Sequence, residues 1–324
     1  MKKKLAMIVS AILLGSMIMG LTACGGGEAD KNYVVGICQL VQHPALDAAT
    51  QGFKDALKEA LGDKVTFVDG NAAGDAATCA TICNGYVADG VDLILANATP
   101  ALQAAVSATD KIPILGTAIT TYDAALNIPD FNGTVGGNIS GTSDLSPIDV
   151  QAQMIKDLFP DAKNVGVLYC TAEANSIYQV AVITEELTKL GYNVKAYSFA
   201  DTNDVALVTG TACDENDLLY IPTDNTAASC AAAIDGVARP SGTPIFAAEE
   251  GICAGCGVAT LTIDYYELGK VTGQMAAKVL TGQANISEMP IEYYMNPVKK
   301  YNPTLAELYG IQIPDDYIAL EVQN

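Results

Sequence analysis

The sequence predicts an α/β protein of two doubly wound, parallel-sheet lobes joined by a hinge. Three observations carry this. The run Val91-Asp92-Leu93-Ile94-Leu95-Ala96-Asn97-Ala98-Thr99-Pro100 sets a buried-strand pattern directly before an N-cap threonine and a first-turn proline. The pattern returns without a gap in Asp217-Leu218-Leu219-Tyr220-Ile221-Pro222-Thr223-Asp224-Asn225, with Asp224 opposite Thr99. Its neighbours return as well: 111–118 matches 242–249, and Val35-Gly36-Ile37-Cys38 matches Val165-Gly166-Val167-Leu168, in the same order. Two similar halves, each sending strand ends into a shared cleft, have the geometry of a hinged clamp for a ligand.

The elements follow in order. Strand 33–39 leads through 40–44 to a helix over 45–61, with Leu46, Ala49, Phe53, Leu57 and Leu61 on one face and Gly62 ending it. Strand 65–68, helix 75–89, the 91–100 stretch with the small-residue helix behind it, and strand 112–115 complete a β-α-β-α-β-α-β run. The right-handed crossover rule folds such a run as a parallel sheet. The glycine-rich 133–140 and the Gly141-Thr142-Ser143-Asp144 turn before Ser146-Pro147 place the first crossing between lobes. The second half repeats the alternation with strands 164–169, 194–199, 218–221 and 245–247, and helices 175–190 and 226–237. Residues 258–263 lead through Asp264, a good N-cap, into helix 265–280, which returns to the first lobe. The expected division is 33–142 plus about 258–288 for lobe one, and 143–257 plus about 289–324 for lobe two.

At 324 residues, half of them hydrophobic, the chain can give each lobe its own core. The first residues stand apart from that fold. Met1-Lys2-Lys3-Lys4, an apolar stretch over 5–19 and Leu21-Thr22-Ala23-Cys24 read as a lipoprotein signal peptide (1–23), with a lipid on Cys24 and a flexible tether over 24–32. The alternative is an ordinary signal peptide with an incidental cysteine. Either way the folded part is expected outside the cytoplasm, and in the first case it is anchored to the cell membrane by Cys24. The net charge of −20, made more negative by loss of three lysines with the signal, disfavours nucleic acid and anionic lipid as partners. Membrane contact is expected through the anchor only, and the folded part as a monomer.

Eight further cysteines include Cys79-Ala80-Thr81-Ile82-Cys83 and Cys253-Ala254-Gly255-Cys256. These spacings fit half a zinc site or a redox pair, or simply small buried thiols; no histidine accompanies them. With one histidine in the chain and no G-x-x-x-x-G-K loop, a catalytic relay, a His-rich metal site and a nucleotide site are disfavoured. No metal and no cofactor is expected. The single arginine, Arg239, falls in a helix-to-strand loop away from the cleft, so a guanidinium clamp is not expected there.

The carboxyl ends of the strands supply the candidate ligand residues: Gln39, His43 and Asp47; Asn97 and Thr99; Thr117, Thr121 and Tyr122; Ser143 and Asp144; Tyr169, Glu173, Asn175 and Ser176; Asp224; Phe246; and Glu249 with Glu250. Capping or turn roles account equally well for Thr99, Asp144, Ser176 and Asp224, and packing for Tyr122 and Phe246. Carboxylates at 47, 224 and 249 suit a ligand ammonium, while helix N–H groups and hydroxyls such as Thr99 and Ser176 suit a carboxylate.

Tyr33-Val34-Val35-Gly36-Ile37 with Gln39 and His43-Pro44-Ala45-Leu46-Asp47, the strand Asp92-Leu93-Ile94-Leu95-Ala96 with Ala98-Thr99-Pro100 and Gln103, Asn138-Ile139-Ser140-Gly141-Thr142-Ser143-Asp144, and Ile263-Asp264-Tyr265-Tyr266-Glu267-Leu268-Gly269 together resemble the ABC transporter substrate-binding lipoproteins of the tryptophan/tyrosine-uptake type. The resemblance covers nearly the whole mature chain. It implies a type I periplasmic-binding-protein fold, an ABC permease as partner and an aromatic amino acid as ligand. On that reading Asp224 and Glu249 hold the ammonium, Thr99, Asn175 and Ser176 the carboxylate, and Tyr122 and Phe246 the ring. The chain departs from such relatives at Thr121-Tyr122-Asp123, where they often read Thr-Asp-Pro, and at the Cys253/Cys256 pair. Alternatives are a receptor or sensor of the same fold for a branched amino acid or a sugar, and a cysteine-based redox or metal protein.

Overall fold

Residues 31–294 and 296–321 are described by the computed structural model. The expected signal peptide, its Cys24 and most of the expected tether lie outside the described residues.

The first half alternates β1 (Tyr33–Gln39), α1 (Pro44–Leu61), β2 (Val65–Asn71), α2 (Ala76–Asp89), β3 (Leu93–Asn97), α3 (Thr99–Ala108), β4 (Ile114–Ile119), a short α4 (Tyr122–Leu126) and β5 (Ile139–Ser143). The second half continues with α5 (Ile148–Leu158), β6 (Asn164–Cys170), α6 (Ala174–Lys189), β7 (Asn193–Phe199), α7 (Val205–Glu215), β8 (Leu218–Ile221), α8 (Asn225–Ser229), α9 (Ala231–Ser241), β9 (Ile245–Ala247), α10 (Glu250–Cys256) and β10 (Ala259–Thr262). Then come α11 (Tyr265–Leu280), β11 (Glu292–Tyr293), β12 (Val298–Tyr301), α12 (Pro303–Tyr309) and β13 (Ile318–Ala319).

Two sheets result, ordered β11-β5-β4-β3-β1-β2 and β13-β12-β10-β9-β8-β6-β7. Their pairings are parallel apart from β10 with β12. The five residues of β3 are all buried, as a strand covered on both faces by helices must be. Helix α1 buries Leu46, Ala49, Phe53 and Leu57 as its pattern predicts, and Gly62 closes it at φ 59°. Asp75 caps α2 by accepting from the N–H groups of Ala77 (2.6 Å) and Thr78 (3.3 Å).

Several expectations are corrected. Residues 259–262, assigned to lobe one, pair with β9 and continue the second sheet. Residues 292–293, assigned to lobe two, pair with Thr142 and Ser143 of β5. A two-residue strand carries no periodicity by which to place it. The chain therefore crosses between the sheets three times, after β5, after β10 and between β11 and β12. Helix α7 was not anticipated: Val205-Ala206-Leu207-Val208-Thr209-Gly210 shows no clean helical period, although the parallel connection from β7 to β8 demands a crossover. Helix α10, carrying the Cys253/Cys256 pair, is another addition. The helix expected over 226–237 breaks at Cys230 into α8 and α9. Arg239 lies inside α9, where its Nε donates to Asp235 Oδ1 at 3.1 Å. The residue capping α3 is Ala98 at φ 94°, with Thr99 already helical and making no side-chain cap.

Helix α11 lies on α1 at backbone contact. A Cβ on Gly269 would stand 2.0 Å from the Ala49 carbonyl oxygen, and one on Gly52 2.0 Å from that of Tyr266. These glycines are what let the returning helix seat on the first lobe.

Candidate functional site

A buried cavity lies between the carboxyl ends of the two sheets. The first lobe and the crossings line it with His43, Leu46, Ala118, Thr120, Asp144 and Tyr265. The second lobe adds Asn175, Thr223, Asp224, Asn225, Ala228 and Glu249. The lining thus holds three carboxyls and one imidazole, and neither lysine nor arginine.

Each carboxyl is placed by a different device. Asp144 follows β5 in the first crossing, and its Oδ2 accepts from the Tyr265 hydroxyl at 2.9 Å, on the far side of the second crossing. Its Oδ1 is buried without a hydrogen-bond partner. Burial pushes the Asp144 carboxyl up to about 6, with the Tyr265 and Thr120 hydroxyls acting against that rise. Asp224 caps α8 through Ala227 N–H (2.8 Å), and its other oxygen accepts from Cys170 N–H and the Ser176 hydroxyl, both at 2.7 Å. Burial, then the charge of Glu173, push it up to about 7. Glu249 caps α10, accepting from the N–H groups of Gly251 (2.6 Å) and Ile252 (2.9 Å).

The two lobes meet across the cavity. His43 Nε2, at the N-cap of α1, stands 3.2 Å from Asn225 Oδ1, the first residue of α8. Gln179 of α6 donates to the Thr120 hydroxyl at 3.4 Å. The cleft is closed.

Of the residues proposed from sequence, His43, Asn175, Asp224 and Glu249 come together on the cavity wall, as does Asp144. Ser176 and Ser143 stand behind it; Ser176 donates to Asp224, and Ser143 donates to the Thr120 carbonyl at 2.7 Å. Gln39, Asp47 and Asn97 form a separate network in lobe one: Gln39 Nε2 donates to Asp47 Oδ1 (2.7 Å), and Asn97 Nδ2 to the Leu46 carbonyl (2.8 Å). Thr99 and Thr121 are outside the lining, each with a buried hydroxyl oxygen that has no hydrogen-bond partner.

The two expected ring partners are core residues. Tyr122 lies over Gly116 and Gly141, where a Cβ would come within 2.4 Å of its hydroxyl, and it donates to the Thr142 carbonyl at 3.2 Å. Phe246 stacks on Tyr220 at 6.2 Å inside the second lobe. Asn225, Thr223, Thr120 and Tyr265 were missed. Asn225 had a signal, since it adjoins Asp224 in the repeated stretch; the hydroxyl of Tyr265 had none.

The eight described cysteines are free thiols, seven of them buried. Cys253 and Cys256 turn their sulfurs to the carbonyls of Gly257 (3.5 Å) and Ile252 (3.3 Å). Among the described residues no group of His, Cys, Asp or Glu is disposed to hold a metal ion.

A family model of ABC transporter substrate-binding proteins matches residues 34–323. The chain belongs to this family. It is 36% identical over 302 residues to the tyrosine-binding protein of Clostridioides difficile strain R20291, an alignment spanning 90% of this chain and 87% of that one. Its structure resembles that of an ABC domain from Streptococcus pneumonia in complex with L-Trp, at 33% identity and TM-score 0.84, covering 88% of this chain and 97% of that one. It also resembles the ligand-free, open structure of a substrate-binding protein with adhesive properties from Clostridium difficile, at 34% identity and TM-score 0.68, covering 90% and 100%. At nearly equal identity the L-Trp complex is nearer in shape than the open form, in keeping with the closed cleft. The fold is that of type I periplasmic-binding proteins, and the family is one of receptors rather than enzymes.

Proposed function

We propose that this protein is the extracytoplasmic receptor of an ABC importer for an aromatic amino acid, anchored to the membrane through a lipid on Cys24, with the interlobe cavity as its ligand site. The observation that carries the reading is the lining: three buried carboxyls, one with an unpartnered oxygen, and no cationic side chain. Such a wall accepts an ammonium and repels a ligand that is only anionic. The ligand's carboxylate is left to backbone N–H groups at the strand-to-helix bends, and its side chain to Leu46, Ala118, Ala228 and the ring of Tyr265. The tyrosine-binding relative and the L-Trp complex support the aromatic class. Closure follows from the ligand touching both lobes, since only a state-dependent contact can shift the hinge. The closed form then docks on the permease.

The test is a thermal-shift panel on the mature domain. A ligand at a hundred times its dissociation constant adds about 2.7 kcal/mol to the folded state, a shift of several degrees. Stabilisation by L-Tyr, L-Trp or L-Phe, with none by branched amino acids or sugars, is the expected result. Stabilisation by a sugar or a branched amino acid alone would replace the aromatic assignment.

A further inference from the structure

Glu173 does not line the cavity, yet it sets the polarity of the wall. It is 2% exposed, and each of its oxygens already accepts from a backbone N–H: Oε1 from Thr226 (2.8 Å) and Oε2 from Asn225 (3.1 Å). The side-chain atom of Asn225 lying 2.6 Å from Oε2 must therefore be the donating Nδ2, which turns Oδ1 toward His43. An amide oxygen only accepts, so His43 Nε2, 3.2 Å away, carries a proton. That leaves Nδ1 as the unpartnered ring atom of a residue on the cavity wall. Asn175 is oriented in the same way: its Nδ2 donates to the Thr223 carbonyl (2.9 Å) and to Glu173 Oε2 (3.2 Å), so its unpartnered atom is Oδ1.

On the reading of the site given above, we infer that Glu173 is a positioning residue that makes the cavity selective for a primary ammonium. Acting through two asparagines, it leaves His43 Nδ1 and Asn175 Oδ1 as unpartnered acceptors on the wall that also carries the unpartnered Asp144 Oδ1. Three acceptors match the three N–H bonds of an ammonium group. The same arrangement ties the lobes, because His43 and Asn225 come from opposite sides of the cleft.

Glu173→Ala tests this. Alanine removes the acceptor that fixes both asparagine amides, so neither Asn225 nor Asn175 is held with its oxygen free for His43 or the cavity. Because the chain has a single histidine, long-range ¹H–¹⁵N correlation spectra of the ¹⁵N-histidine-labelled protein read one ring. The expected result is the Nε2–H tautomer in the wild-type complex with L-tyrosine, where the closed cleft joins His43 to Asn225. In Glu173→Ala, affinity for L-tyrosine should fall about tenfold or more, with little change for its deaminated analogue 3-(4-hydroxyphenyl)propionate.

An Nδ1–H ring in the wild-type complex, or a Glu173→Ala protein that loses L-tyrosine and the deaminated acid equally, overturns the inference. So does wild-type protein that binds the deaminated acid as tightly as the amino acid, a result that leaves the aromatic-receptor reading standing. If wild type binds neither L-tyrosine nor L-tryptophan, the ligand reading fails and this inference with it, whereas binding of L-tyrosine without the selectivity described overturns the inference alone. Should Glu173→Ala not fold, Asn225→Ala removes the acceptor of Nε2–H while Glu173 keeps its bonds to Thr226. The same selective loss of L-tyrosine is then expected, and an unchanged preference for L-tyrosine over the deaminated acid contradicts the account.

Discussion

Asp144 is the residue on which the chemistry of the site turns. Its Oδ1 is the unpartnered carboxylate oxygen on the cavity wall, and burial holds the group up to about 6. A bound ammonium favours the ionised form, so ligand displaces the proton that burial keeps on the carboxyl. Binding therefore weakens as pH falls through about 7, where Asp224 on the same wall takes up a proton, and more steeply below about 6, where Asp144 does, and is flat only above both values. Calorimetric titration of L-tyrosine from above 7 to below 6 measures the profile. Asp144→Asn should lose about tenfold to a hundredfold in affinity at neutral pH and remove the steeper part of the acid limb, leaving that of Asp224. An unaltered profile in the variant would place the ammonium elsewhere. The position of Asp144 at a strand end was legible in the sequence, but its tie to Tyr265, 121 residues away, was not. The core placement of Tyr122 is hidden from sequence for a related reason. An aromatic beside a cleft looks the same in sequence whether it faces ligand or core, and what decides is the pair Gly116 and Gly141 beneath it, supplied by two neighbouring strands.

At the scale of elements, the parallel sheets were legible because buried strands are short apolar runs and the order repeats between halves. Helices without an amphipathic stripe, such as α7, were not. The motif Ile263-Asp264-Tyr265-Tyr266-Glu267-Leu268-Gly269 proves to hold three jobs at one crossing. Asp264 caps α11 by accepting from Glu267 N–H at 3.0 Å, Tyr265 reaches Asp144, and Gly269 admits the backbone of α1. Gly269→Ala forces α1 and α11 apart and should cost about 1–3 kcal/mol or more, read as a lower urea midpoint with little change in slope. A variant with an unchanged midpoint would show that the contact relaxes freely. Gly282, by contrast, has φ 70° and open space around it, so its need for glycine is conformational rather than steric.

Across the whole molecule, the cavity exists because two sheets present their carboxyl ends to each other, joined by three crossings. The polar groups lining the cavity are divided between the sides, with His43 from lobe one, Asn175, Asp224 and Glu249 from lobe two, and Asp144 on a crossing. A ligand that satisfies them holds the clamp shut. The general architecture was open to sequence reasoning since repetition reveals it, whereas the placement of 259–262 and 292–293 depended on pairing partners in distant strands. The most direct test is a crystal structure of the mature domain grown with L-tyrosine or L-tryptophan. The account predicts the amino acid between the lobes, its ammonium within hydrogen-bond distance of Asp144 Oδ1, Asn175 Oδ1 and His43 Nδ1. An amino acid bound with its carboxylate against Asp144, or outside this cavity, would contradict it.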